Sequence, residues 1–233
     1  MPETIRVEIG SAESVTAIAY PATAEERAGV TLILGHGAGA SQTSDFMVRF
    51  AAALAAREID VVTFNFAYTE HGRRVPDAND RLEACYAAVI ERVRAHETFG
   101  HGRLAIGGKS MGGRIASQLA AFATAGAAAL VLLGYPLHPS GKPDRLRVKH
   151  LADIDVPMLF VQGSRDALGT PEELRPILGT LKAAADLFVV EGGDHSFNVL
   201  KRAGVSQARI DGTVQDEIAR WLRERLRGGA AGC

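Results

Sequence analysis

Leu104-Ala105-Ile106-Gly107-Gly108-Lys109-Ser110-Met111-Gly112-Gly113-Arg114 is the stretch whose reading decides the fold of this chain. A short apolar run reads as a buried strand, the glycine-punctuated middle as a tight turn, and the residues through about Phe122 as a helix. The turn carries G-x-S-x-G from Gly108 to Gly112, and its strand-turn-helix context is that of a nucleophile elbow. Flanking side chains would collide in so tight a turn, which gives the glycines at 108 and 112 a steric reason. Ser110 is then expected in a strained conformation with its hydroxyl projecting above the sheet, at a helix start that favours developing negative charge. Gly108-Lys109-Ser110 also resembles the end of a phosphate-binding loop, but that motif needs a glycine where this chain has Arg103.

Outward from the elbow, short β-branched runs alternate with longer alanine- and leucine-rich amphipathic ones, the pattern of a mostly parallel sheet flanked by helices. Thr4–Ile9 and Val15–Tyr20, joined through Gly10-Ser11, predict an antiparallel hairpin at the sheet edge. Val30–Leu34, Val61–Phe66, Ala128–Leu133, Pro157–Val161 and Leu187–Val190 predict further strands. Helices are expected over Phe46–Arg57 with Asp45 as N-cap, over Asp80–Arg94, from Thr170-Pro171, and over Val214–Leu226. With no internal repeat or linker, residues 1–227 read as one α/β domain and 228–233, with Gly228, Gly229 and Gly232, as a frayed tail.

An elbow serine needs a base, and Gly192-Gly193-Asp194-His195-Ser196-Phe197 follows the last strand, at the carboxyl edge where ligands bind in open α/β folds. His195 is the candidate base. Asp166, in Gln162-Gly163-Ser164-Arg165-Asp166 beyond the preceding strand, is the candidate acid that orients it. Asp194 is the rival, but adjacent side chains rarely face each other in a loop, and it is better placed to shape the turn. The chain order serine, acid, histidine fits a nucleophile-elbow enzyme. Gly35-His36-Gly37-Ala38-Gly39-Ala40 follows the first parallel strand and is expected to supply one oxyanion-binding amide, from Ala38 or Gly37, with Met111 supplying the other. His36 and Tyr135 are expected to contact substrate.

These motifs, with Leu133-Gly134-Tyr135-Pro136-Leu137-His138-Pro139, resemble the dienelactone-hydrolase-like α/β-hydrolases over roughly residues 30–200. Within that group the chain is most similar to the branch of testis-expressed protein 30 and the NSL-complex subunit of that fold. The resemblance implies the α/β-hydrolase fold and a triad at Ser110, Asp166 and His195, and no particular substrate. Dienelactone hydrolases proper use a cysteine nucleophile, so lactone specificity does not carry over to Ser110.

The 233 residues are 47% hydrophobic and 23% charged with a net charge of -1, which fits a folded globular domain and gives no global attraction to nucleic acid or an acidic membrane. Ile115–Leu133 is the nearest approach to a membrane span and is interrupted by polar residues. The start of the chain lacks a signal-peptide pattern, so a cytoplasmic location is expected. Cys85 sits in an apolar helical pattern as a free buried thiol, and Cys233 closes the chain. Neither the cysteines nor the seven histidines form a metal-binding spacing, and no cofactor is expected. Self-association is left open. Two loops at the carboxyl edge are basic: one with His71, Arg73 and Arg74, the other with Lys142, Arg145, Arg147 and Lys149. They read either as solvated surface or as a preference for an acidic substrate, with Arg73 and Arg74 as the binding candidates. Three functions stay in play: a serine hydrolase of a small ester, thioester or amide; an acyltransferase with the same triad; and a non-enzymatic interaction protein that retains the fold.

Overall fold

In a computed structural model, residues 1–10, 13–23, 27–122, 126–200 and 204–226 are described. The expected tail at 228–233, Cys233 and Ser11 of the hairpin turn lie outside them. Eight strands form one sheet: β1 (Glu3–Ile9), β2 (Glu13–Tyr20), β3 (Val30–Gly35), β4 (Asp60–Phe64), β5 (Arg103–Lys109), β6 (Ala129–Leu133), β7 (Met158–Gly163) and β8 (Ala185–Val190), in the order β1-β2-β4-β3-β5-β6-β7-β8. β1 and β2 pair antiparallel, as the hairpin reading expected, and β2 continues antiparallel onto β4. From β4 to β8 every pairing is parallel, so those strands finish at one edge. Gly35 of β3 lies opposite Gly108 of β5, and Lys109 opposite Leu133 of β6. Both faces of β3, β4, β5, β6 and β7 are covered, which is why they read as continuous apolar runs.

The helices are α1 (Asp45–Ala55), α2 (Ala67–Glu70), α3 (Asn79–Arg94), α4 (Met111–Ala121), α5 (Pro171–Leu178) and α6 (Gln207–Leu226). Alternation along the strands divides the core. Ile33 joins the apolar cluster under α3 and α4, whereas Leu32 and Leu34 join the one under α1 and α6. Burying these side chains contributes about 25 cal/mol per Å² of apolar surface removed from water.

Four sequence expectations change. Asp45 lies inside the first turn of α1, and Ser44 is the cap residue, without a side-chain cap bond. α6 starts seven residues before Val214, at Gln207. Its buried face includes Asp211, paired with Arg49 at 3.0 Å, and Gln215, so polar residues hide the apolar period of the helix. The second basic loop ends in a 3-10 turn over Lys149–Asp153, and the short helix α2 follows β4, neither of which was expected. By contrast, Thr170 caps α5 as expected, within a reciprocal capping box with Glu173 and with Pro171 at the helix start. Thr170→Ala should lower stability by about 1 kcal/mol in urea unfolding, with activity little changed.

Candidate active site

Ser110 is the cap residue of α4 and has φ 52° and ψ -112°, a conformation rarely adopted by a residue with a side chain. Holding it costs on the order of 1–3 kcal/mol, and the close packing around the elbow maintains it. A Cβ on Gly108 would lie 2.3 Å from the Gly35 carbonyl oxygen, and one on Gly112 would lie 2.1 Å from it. The steric reason expected for the two glycines is therefore contact with the end of β3. That contact brings the following Gly37–Ala38 loop alongside the serine.

His195 lies 2.9 Å from the Ser110 hydroxyl through Nε2 and 2.7 Å from Asp166 Oδ2 through Nδ1. Asp166 is fully buried and its carboxylate is fully engaged. Oδ2 also accepts from Gln162 Nε2 at 2.8 Å, and Oδ1 accepts from the Leu168 amide at 2.8 Å. Gln162 is itself held by Tyr135 and the Gly169 carbonyl. Asp194 turns away, with Oδ1 accepting from the Ser196 and Asn198 amides at 2.8 and 2.9 Å, so it shapes the histidine loop. Phe197 anchors that loop. Its φ is 66°, its ring is buried, and it lies 5.8 and 6.3 Å from Phe46 and Phe50 of α1.

Two arms of one cleft meet at Ser110. One, of about 430 Å³, is bounded by Ala38, Met111, Arg114, Pro136, Arg147 and Leu168 among others. The other, of about 460 Å³, includes Gly37, Ala38, Phe46, Lys109, Leu168 and His195. Met111, as the first residue of α4, has an amide with no intrahelical acceptor. It borders the same space as Ser110, while Ala38 borders both arms and Gly37 one of them.

The other expected contact residues fall elsewhere. His36 is fully buried: Nδ1 bonds the Gly37 carbonyl at 2.8 Å and Nε2 accepts from the Phe66 amide at 3.2 Å. Burial pushes its pKa down to about 4, against the raising effect of the Gly37 bond, so the ring is a neutral strut between the start of α2 and the Gly37 loop. Tyr135 is also fully buried, and its hydroxyl donates to the Arg147 carbonyl. Arg73 and Arg74 are exposed and border neither arm, and Arg73 pairs with Asp77 at 2.7 Å. These four side chains do not reach the cleft. Among the positions that do are Lys109, Arg114 and Leu168, to which the sequence reading gave no site role, and Arg147 of the second basic loop. Lys109 is 8% exposed and stands 5.9 Å from the Phe46 ring centroid. Burial pushes it down to about 8, while the charges of Asp166 and Asp194 act the other way.

Cys85 is buried and free, with burial pushing its thiol up to about 12, which keeps it protonated and unreactive. Among the described residues no three His, Cys, Asp or Glu side chains are grouped to hold a metal ion, and no helix is long and apolar enough to cross a membrane.

Solved structures with this fold include a dienelactone hydrolase from Anabaena variabilis (18% identity, TM-score 0.76, 97% of this chain and 99% of that one). XC6422 of Xanthomonas campestris, described as an α/β serine hydrolase without a lid, shares 22% identity at TM-score 0.75, covering 97% and 95% of the two chains. Est1E of Butyrivibrio proteoclasticus shares 12% at TM-score 0.74, covering 96% and 99%. At these identities the likeness is one of fold. The family model described as an alpha/beta hydrolase domain matches residues 28–223, from just before β3 into α6, and the chain belongs to that family.

Proposed function

We propose that this protein is a serine hydrolase that cleaves a small soluble ester, thioester or amide through an acyl-enzyme on Ser110. The observation that carries the reading is the continuous hydrogen-bonded chain from buried Asp166 through His195 to a strained serine that opens onto a cleft.

In this reading His195 Nε2 takes the Ser110 proton as Oγ attacks the substrate carbonyl carbon, and the carbonyl electron pair moves to oxygen. The oxyanion faces the Met111 amide and that of Ala38, with Gly37 adjoining. Asp166 keeps the proton on His195 Nδ1 and stabilises the imidazolium. Collapse of the tetrahedral adduct expels the alcohol, thiol or amine, which leaves with the proton from Nε2. Water then repeats the sequence on the acyl-serine, freeing the acid and restoring the hydroxyl. The residues that Asp166 and Gln162 bond fix the histidine before substrate arrives, so little reorganisation accompanies the reaction. The finer likeness to the testis-expressed protein 30 branch belongs to this proposal and adds no substrate.

A fluorophosphonate probe tests the reading. Labelling of the wild-type protein that disappears in Ser110→Ala and His195→Ala, with turnover of short-chain activated esters, is the expected result. No Ser110-dependent labelling and no turnover over short and long acyl chains would leave the interaction-protein reading in its place. Product analysis with added alcohol or amine acceptors separates hydrolysis from acyl transfer.

A further inference from the structure

The first arm of the cleft carries an unusual charge distribution for a wall that water and substrate share. Arg114, on the first turns of α4, and Arg147, on the segment after β6, both border it with Ser110. Neither guanidinium takes part in an ion pair among the described residues. Arg114 Nη1 donates to Asn79 Oδ1 at 3.0 Å and Gln118 Oε1 at 3.3 Å, and Arg147 Nη1 reaches the Pro136 carbonyl at 3.5 Å. Both residues are half-buried, so their remaining N–H groups are only partly open to water. Each guanidinium has five donors, and the neutral oxygens above leave most of them unfilled.

The two cations also lie close enough to oppose one another. Burial and then the Arg147 charge hold the Arg114 pKa below its ordinary value, and the Arg114 charge, after burial, does the same to His150. The Glu83 charge offsets this only in part at Arg114 and pairs with neither guanidinium. Asp77 borders the same arm, but its ion pairs are with Arg73 at 2.7 Å and Arg81 at 3.5 Å. Two like charges bordering one partly dehydrated arm are unfavourable unless an anion joins them. Planar forks of this kind match a carboxylate in bidentate fashion.

We propose that Arg114 and Arg147 form a carboxylate-binding subsite, so that this protein acts on esters or thioesters whose acyl or leaving part ends in a carboxylate. The inference rests on the hydrolase reading for the words ester and thioester, and on the arginine pair alone for the anion. It relocates the acidic-substrate preference considered from the basic loops. Arg73 and Arg74 do not carry it, whereas Arg147, from the second loop, and Arg114, from the elbow helix, do.

The test compares the mono-4-nitrophenyl ester of glutarate with its methyl-capped, neutral counterpart. Arg147→Ala should lower kcat/KM for the acidic ester roughly ten- to hundredfold, mainly through KM, and leave the neutral ester within about twofold. Arg114→Gln, checked for an unchanged melting temperature, should act in the same direction, and raised salt should weaken the preference. Equal losses on both esters, or no loss on the acidic one, overturn the subsite. So does Lys109→Met if it removes the acidic preference instead, since the anion would then be read in the other arm. If the wild type turns over neither ester, the hydrolase reading fails by itself. In that case stabilisation by glutarate, against glutaramide, decides for the subsite if it vanishes in Arg147→Ala, and against it if it is absent or unchanged.

Discussion

Ser110→Ala is expected to lower kcat on an activated ester by on the order of a millionfold, with the protein still folded. Alanine keeps the Cβ and therefore the strained backbone at φ 52°, so the melting temperature should change little. The loss is specific because the substitution removes the only atom that His195 Nε2 faces in this chain of bonds. Asp166→Asn should cost less, roughly ten-thousandfold, but for a definable reason. The buried carboxylate receives hydrogen bonds at both oxygens, from His195 and Gln162 at Oδ2 and from Leu168 at Oδ1. An asparagine amide group on the Oδ2 side would face the Gln162 amide donor. It would also require His195 to carry its proton on Nε2, where it cannot accept from serine. Turned over, the amide would face the Leu168 N–H. Either orientation leaves two donors opposed, so Asp166→Asn should also be less stable than wild type. Single-turnover kinetics and thermal melts on Ser110→Ala, Asp166→Asn and the double variant provide the check. If Ser110→Ala lost only a few-fold, or if the double variant lost the product of the single losses, the three residues would not act as a unit.

How much of this was legible in the sequence depends on what each signal encodes. The elbow was readable because the two glycines are dictated by contact with Gly35, a backbone constraint that leaves a fixed spacing in the chain. The order of Ser110, Asp166 and His195 was readable for a similar reason: parallel strands put every carboxyl end on one edge. The direction of a side chain leaving a loop has no such period. His36 and Tyr135 sit in the right loops and turn inward, where backbone groups occupy their polar atoms. Arg147 lies among Lys142, Arg145 and Lys149, and nothing in that run distinguishes the one that borders the cleft. Arg114 could have been found: as residue i+4 from Ser110 it shares a helix face with the elbow, a spacing visible in the sequence itself.

Acidification from pH 6.5 to 4 is expected to remove about 3 kcal/mol of folding stability through His36. Its pKa is about 4 in the folded chain against the ordinary histidine value of 6.5. As pH falls through 6.5 the unfolded chain takes up the proton first, so stability present above 6.5 is lost progressively until the folded form protonates near 4. Below that value the group contributes no further loss. The cause is mainly burial, and the bond geometry adds a structural consequence. Nε2 accepts from the Phe66 amide at 3.2 Å, and protonation would set two donors against each other there while Nδ1 keeps the Gly37 carbonyl. The strut that fixes the Gly37–Ala38 loop against the start of α2 would then loosen at its Phe66 end. Urea unfolding of wild type and His36→Gln at half-unit pH steps separates this group from the carboxylates, which titrate in both proteins. The variant should be less stable at pH 7 and show a shallower fall between 6.5 and 4; parallel curves would remove His36 from the account. Because the loop carries the amide assigned to the oxyanion, the same variant at pH 7 should lose kcat on a neutral ester while KM changes little, the pattern of an interaction made in the transition state.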